Sequence, residues 1–196
     1  QAFSAEENGI DVYIPKGSLY QDTYLDIKFM GDTIYFHNDK TPIHTNITLG
    51  FDVSKYKPAE LEKMFIAQLG YKDKPSYSNT YLKGNRMTTG IRTFGKYTLA
   101  SDTKPPSISP LNFKSGQWIS GNSELKLRIS DDLSGIKSYR ATVNGKFILM
   151  EYEYKNNTIT HDFSDGVVTE TENKLKVIVT DNVGNSETLE TTFFRK

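Results

Sequence analysis

Apolar residues recur at every second position along much of this chain, and that period limits its fold more than any other feature. Ile10, Val12 and Ile14 alternate with Asp11 and Tyr13; Leu25, Ile27 and Phe29 with Asp26 and Lys28; Ile47, Leu49 and Phe51 with Thr48 and Gly50. Successive side chains of a strand point to opposite faces, so each run reads as a half-buried strand with one face on a core. Pro15-Lys16-Gly17, Gly31-Asp32 and Asn38-Asp39-Lys40-Thr41-Pro42 separate the runs with residues that tolerate positive φ or preset a bend. Only Lys57-Pro58-Ala59-Glu60-Leu61, with proline near its start, predicts a helical turn. Residues 64–69 then read as a buried strand, and residues 71–85 as a long hairpin arm or loop. The expectation is an all-β chain.

A boundary falls at Ser101-Asp102-Thr103-Lys104-Pro105-Pro106, which is polar and then doubly proline, unable to donate ladder hydrogen bonds and stiffly extended. It predicts two tandem β-sandwich domains, residues 1–101 and 107–196, joined by a linker at 102–106. The second half predicts about seven strands, near 108–113, 124–129, 137–143, 147–152, 158–163, 174–180 and 187–194, with Asn144-Gly145 as a type I′ hairpin signal. Short strands at that spacing are the immunoglobulin-like pattern, here without a cysteine pair.

Two acidic, glycine-bearing loops each follow an alternating strand: Asp131-Asp132-Leu133-Ser134-Gly135 after Leu125, Leu127 and Ile129, and Asp181-Asn182-Val183-Gly184-Asn185 after Leu175, Val177 and Val179. Chain order in such a sandwich puts both loops and the incoming first strand at one end. They are therefore expected to flank the proline linker and face the first domain, with Asp131, Asp132, Asp181, Asn182 and Asp102 converging there. Clustered Asp and Asn oxygens suit Ca²⁺, which takes about six to eight of them. The same side chains also hydrogen-bond their own backbone in turns, which is the stronger reading, and no segment matches the D-x-[DN]-x-[DN]-G calcium loop. No other cofactor is expected.

Composition removes several function classes. Lys+Arg and Asp+Glu balance at 24 each, so net charge gives no ground for nucleic acid or an acidic membrane surface as partner. There is no cysteine, hence no disulfide, thiolate metal site or thiol nucleophile. No apolar run approaches the roughly 18 residues of a membrane span. Gln1 opens a start with neither a basic region nor an apolar core, which reads as a mature or excised piece.

Trp118, Tyr139, Tyr152 and Tyr154 are the candidate ligand-binding aromatics, since exposed rings stack on sugar faces; sandwich cores bury such residues too. In Glu151-Tyr152-Glu153-Tyr154 either the glutamates or the tyrosines face solvent, with buried tyrosines favoured. Tyr71, Tyr77 and Tyr81, among Lys72, Lys74 and Lys83, form a rival surface for partner contact. No catalytic residue is expected. Asp162 with Asp165, or Asp131 with Asp132, lacks the separation across a cleft that glycosidase carboxylates need, and no G-x-S-x-G, P-loop or H-E-x-x-H occurs.

Family likeness adds to this. Ile129-Ser130-Asp131-Asp132-Leu133-Ser134-Gly135-Ile136 and Val179-Thr180-Asp181-Asn182-Val183-Gly184-Asn185 resemble bacterial immunoglobulin-like repeats of envelope proteins. Val12-Tyr13-Ile14-Pro15-Lys16-Gly17-Ser18-Leu19-Tyr20, with Phe94-Gly95-Lys96-Tyr97, resembles ZU5-type sandwich domains. In this order the two halves are similar to the carboxy-terminal region of Bacteroidetes M23-family peptidoglycan metallopeptidases. That resemblance implies a secreted parent protein of the periplasm or cell surface, with a zinc peptidase domain upstream as partner. Peptidoglycan, or another envelope glycan or protein, is a further partner it suggests. The chain itself is not expected to be an enzyme. The M23 site needs H-x3-D and H-x-H, and although His161-Asp162-Phe163-Ser164-Asp165 fits the first, the only other histidines are His37 and His44. The match is expected to be chance, with His161 a strand histidine followed by a solvated turn. The function expected is a non-catalytic accessory region positioning or regulating the peptidase; the alternative is a carbohydrate-binding or adhesive cell-surface module.

Overall fold

A computed structural model describes residues 1–196, which divide into two compact units, Gln1–Asp102 and Thr103–Lys196. The first contains β1 (Phe3–Glu7), β2 (Ile10–Ile14), β3 (Ile27–Met30), β4 (Thr33–Phe36), β5 (Ile47–Asp52), α1 (Pro58–Leu61), β6 (Met64–Leu69), β7 (Pro75–Tyr77), β8 (Thr80–Lys83), β9 (Arg86–Ile91) and β10 (Gly95–Ser101). They form two five-stranded sheets, ordered β1-β2-β5-β9-β8 and β3-β4-β10-β6-β7. Ile10, Val12, Leu49, Phe51 and Met87 from the first sheet meet Ile34, Phe36, Ile66 and Tyr97 from the second in one core. Period-two patterning and this sandwich are the same fact seen twice: each inward residue removes about 1.5–3 kcal/mol worth of apolar surface from water.

The helical turn starts at Pro58, whose missing N–H would be unpaired there anyway, and Glu60 accepts the Lys57 backbone N–H at 2.7 Å. The strand predicted from Leu25 begins instead at Ile27. Its partner β4 stops at Phe36, because His37 turns left-handed at φ 55°, and residues before Ile27 have little ladder left to join. The stretch 71–85 resolves into two pieces: β7 pairs with β6, and β8 crosses to the other sheet to pair with β9. β1 carries no apolar alternation that would predict a strand; it is held by β2 alone.

The second unit is an immunoglobulin-like sandwich of nine strands: β11 (Ser107–Pro110), β12 (Gln117–Trp118), β13 (Glu124–Ser130), β14 (Ile136–Val143), β15 (Lys146–Ile148), β16 (Glu151–Glu153), β17 (Thr158–Asp162), β18 (Glu172–Asp181) and β19 (Ser186–Phe194). One sheet runs β11-β13-β17-β16 and the other β12-β19-β18-β14-β15. Leu125, Leu127, Ile129 and Ile159 pack against Ala141, Val143, Leu175, Val177, Val179 and Phe193 between them. Asn144 and Gly145 both take positive φ, 51° and 79°, as the type I′ hairpin requires.

The alternation over residues 147–152 predicts one strand. They form two, with β15 bonded to β14 and β16 bonded to β17 in the opposite sheet. Ile148 and Met150 stay buried while Phe147, Leu149 and Glu151 stay exposed, so the in-out alternation runs straight through the change of sheet.

In both units the sheet margins are short: β1, β8, β3, β7, β11, β16, β12 and β15 all have five residues or fewer. The ten-residue β18 lies inside its sheet. No helix is long and apolar enough to cross a membrane.

Candidate functional site

The two acidic loops meet at one end of the second unit, because β14 pairs with β18 as far as Ile136 opposite Asp181. Asp131 Oδ2 accepts the backbone N–H groups of Leu133 at 3.1 Å and Gly135 at 2.7 Å. Asp181, wholly buried, accepts from the backbone of Val183 (3.0 Å) and Asn185 (2.8 Å) and from the Asn185 amide (2.7 Å). Asn182 spends its amide on the Ser134 carbonyl, and the Asn185 amide also reaches the Lys104 carbonyl at 3.3 Å, which brings the incoming segment to the same end. These side chains shape their own turns. Carboxylate oxygens of Asp131 and Asp181 also lie within 4.8 Å of each other, a spacing that two ligands of one cation can have, whereas Asp132 is exposed.

The four aromatic candidates do not gather. Tyr139 and Tyr152 pack on the core edge with ring centroids 5.8 Å apart; the Tyr139 hydroxyl donates to the Met150 carbonyl and that of Tyr152 to Asn157 Oδ1. Burial, and secondarily the neighbouring Tyr139, raises the Tyr152 phenol above its usual range. Trp118 is on β12 instead, more than half exposed and stacked at 5.3 Å on Phe194, with Lys196 Nζ 5.9 Å from its ring. Tyr154 stands in solvent, 70% exposed. Of the tyrosine arm, Tyr77 packs on Phe65 while Tyr81 is exposed in the other sheet.

His161 is a core residue of β17, 1% exposed, with Nδ1 bonded to the Leu149 carbonyl at 3.0 Å and its ring edge-on to Phe163. Its Nε2 is 3.7 Å from Asp165 Oδ1. The turn that follows is a short 3₁₀ segment in which Asp162 caps the Ser164 N–H at 2.8 Å. That bond, chiefly, holds the Asp162 carboxyl below the usual range.

A site that the sequence marked only through Tyr71 and Lys72 of the tyrosine arm opens in the first unit, where β4 and β6 end and β10 begins. It is a cavity of about 580 Å³ whose walls include Tyr35, His37, Gln68, Tyr71, Lys72 and Asp73. Six non-glycine residues of the chain have positive φ; Asn8, Asn144 and Asn157 are asparagines, and the other three, His37 (55°), Lys72 (57°) and Asp73 (54°), all line this cavity. Asn, Asp and His tolerate the left-handed region better than other residues, so Lys72 is the costly one, at about 1–2 kcal/mol. Strain of this kind persists where surrounding structure fixes it. Here the fixing is visible: the Asp73 backbone N–H donates to the Gly70 carbonyl, and Lys96 Nζ pairs with Asp73 Oδ1 at 2.9 Å.

Comparison with curated proteins returns no match. Among solved structures, the X-ray structure of the endo-beta-1,4-mannanase from Thermotoga petrophila aligns at 11% identity and a TM-score of 0.40, over 48% of this chain and only 20% of the mannanase. The fibronectin(III)-like modules of CbhA from Clostridium thermocellum align at 13% identity and a TM-score of 0.36, over 78% of this chain and 86% of theirs. Residues 1–102 match the family model of the Zu5-like domain, and the chain belongs to that family.

Proposed function

We propose that this chain is a non-catalytic accessory region of a secreted M23-type cell-wall metallopeptidase, acting in the periplasm or at the cell surface to position or regulate an upstream peptidase domain. One observation carries the non-catalytic part: the acidic and imidazole groups that the sequence offers for chemistry are committed to structure. Asp131, Asp162 and Asp181 each accept backbone N–H groups of their own turns, and His161 is packed into the core. Membership of the Zu5-like family over the first half supports the same reading. The mechanism is one of effective concentration, in which tethered modules hold a catalytic domain near its substrate.

The test compares wall hydrolysis by the full-length polypeptide with that of a version lacking residues 1–196. The expected result is slower digestion of insoluble peptidoglycan at unchanged turnover of a soluble peptide. Equal rates on both substrates, or absence of H-x3-D and H-x-H elements upstream of Gln1, would sink it.

The second reading, a carbohydrate-binding or adhesive module, draws support from the exposed Trp118 stacked on Phe194. Calcium at Asp131, Asp132, Asp181 and Asn182 is a separate proposal. A melting temperature unchanged by calcium on the order of millimolar assigns these loops to turn formation alone; a rise assigns them a cation.

A further inference from the structure

We infer that the first unit carries a saccharide site in the cavity between the ends of β4 and β6 and the start of β10, taking a short stretch of neutral glycan. This rests on the second reading, that the chain binds carbohydrate, and moves the binding face from Trp118 to the first unit. Its volume, about 580 Å³, falls in the range of roughly 300–1,000 Å³ that holds small-molecule ligands.

The lining determines the class of ligand. Gln68 brings a planar amide and Asp39 a carboxylate, and the second oxygen of Asp73, whose Oδ1 pairs with Lys96, adds an acceptor; such groups bond to hydroxyls as acceptors and, for the amide, as a donor too, while the Asn38 amide is spent on the His37 ring and its own turn. Charge is balanced, Asp39 and Asp73 against Lys72 and Lys96, so nothing here selects a phosphate or a free cation. The Tyr71 ring, 85% exposed, offers an apolar face of the kind that packs on the C–H face of a sugar ring. It stands on the loop whose next two residues, Lys72 and Asp73, are held left-handed, and Lys72 Nζ lies 5.4 Å from its centroid. An uncharged, hydroxyl-rich ligand fits a site that has many hydrogen-bonding groups, an aromatic ring and no net charge.

The experiment is calorimetric titration of the whole chain with short soluble oligomers of β-linked glucose, mannose and N-acetylglucosamine, at low and high salt, with melting curves to confirm that each variant is folded. At least one oligomer binds, and its affinity is insensitive to salt. Tyr71→Ala and Gln68→Ala each weaken it at least about tenfold, equivalent to about 1.4 kcal/mol, while Trp118→Ala leaves it unchanged. If Trp118→Ala alone abolishes binding, the glycan reading stands and this site is overturned. If no oligomer binds, or binding collapses with salt, both fall.

Discussion

Asn182 donates its side-chain amide to the carbonyls of Ser134, at 2.8 Å, and Gly135, at 3.2 Å, and so ties the β18–β19 loop to the β13–β14 loop. Ser134 is buried, so its carbonyl has no ready water to replace the lost donor. Asn182→Ala is expected to destabilise the second unit by about 1–3 kcal/mol, the cost of leaving the buried Ser134 acceptor unmet, while the Gly135 carbonyl keeps the Asn182 backbone N–H. Urea denaturation with a fluorescence or circular dichroism readout measures it, and a change below about 0.5 kcal/mol would show that the loops hold without this link.

Lys72 occupies the left-handed region at a cost of about 1–2 kcal/mol that glycine avoids, less about 0.5–1 kcal/mol for glycine's freer unfolded chain. Lys72→Gly should therefore raise stability modestly. A higher denaturation midpoint is the expected outcome, and a lower one would mean that the Lys72 side chain stabilises the fold more than its backbone strains it.

The Tyr97 hydroxyl donates to the Thr93 carbonyl at 2.6 Å from a side chain only 2% exposed, and burial pushes its pKa well above the usual 10.0. A folded pKa raised above the unfolded one means stability that is complete below pH 10 and lost as pH climbs further, because only the unfolded state ionises readily. Tyr97→Phe loses the hydrogen bond, about 1 kcal/mol at neutral pH. Its deficit should shrink above pH 10, and parallel stability curves for the two proteins would contradict this.

Asp162 shows the opposite sign. The Ser164 backbone N–H favours its ionised form and lowers the folded pKa beneath the usual 3.8. Its contribution is present above that value and lost as pH falls through the folded one. The stability gap between the protein and Asp162→Ala should be flat at neutral pH and close in acid. A gap that persists unchanged however far the pH is taken beneath that value would remove the carboxylate from the explanation.

Much of this fold was readable because one-sided burial imposes a period of two, which is why β2, β5, β13 and β18 coincide with alternating runs. Residues 147–152 show where that reading stops. Alternation records which face is buried, not which neighbour is bonded, and Ile148 and Met150 stay inward on both sides of the sheet change. β1 and β12 were illegible for a related reason, since their side chains are largely exposed and partner strands alone specify them. The meeting of the acidic loops followed from chain order and hairpin chemistry. The cavity did not, because Tyr35, Gln68 and Tyr71 come together only through pairing of distant strands, and nothing in the residue type of Lys72 signals a left-handed backbone.

The short margins of the four sheets bear on how such modules behave in a crowd. An open strand edge is a template for a neighbour's backbone, and its hold grows with every residue it presents. Marginal strands of two to five residues offer little to grip. Where β12 covers only the last two residues of β19, the exposed length carries Glu187 and Glu190, charges that a pairing strand would have to accommodate. Sandwiches with such margins can thus stay separate from neighbouring copies at high concentration, in a chain that has no cysteine to cross-link them.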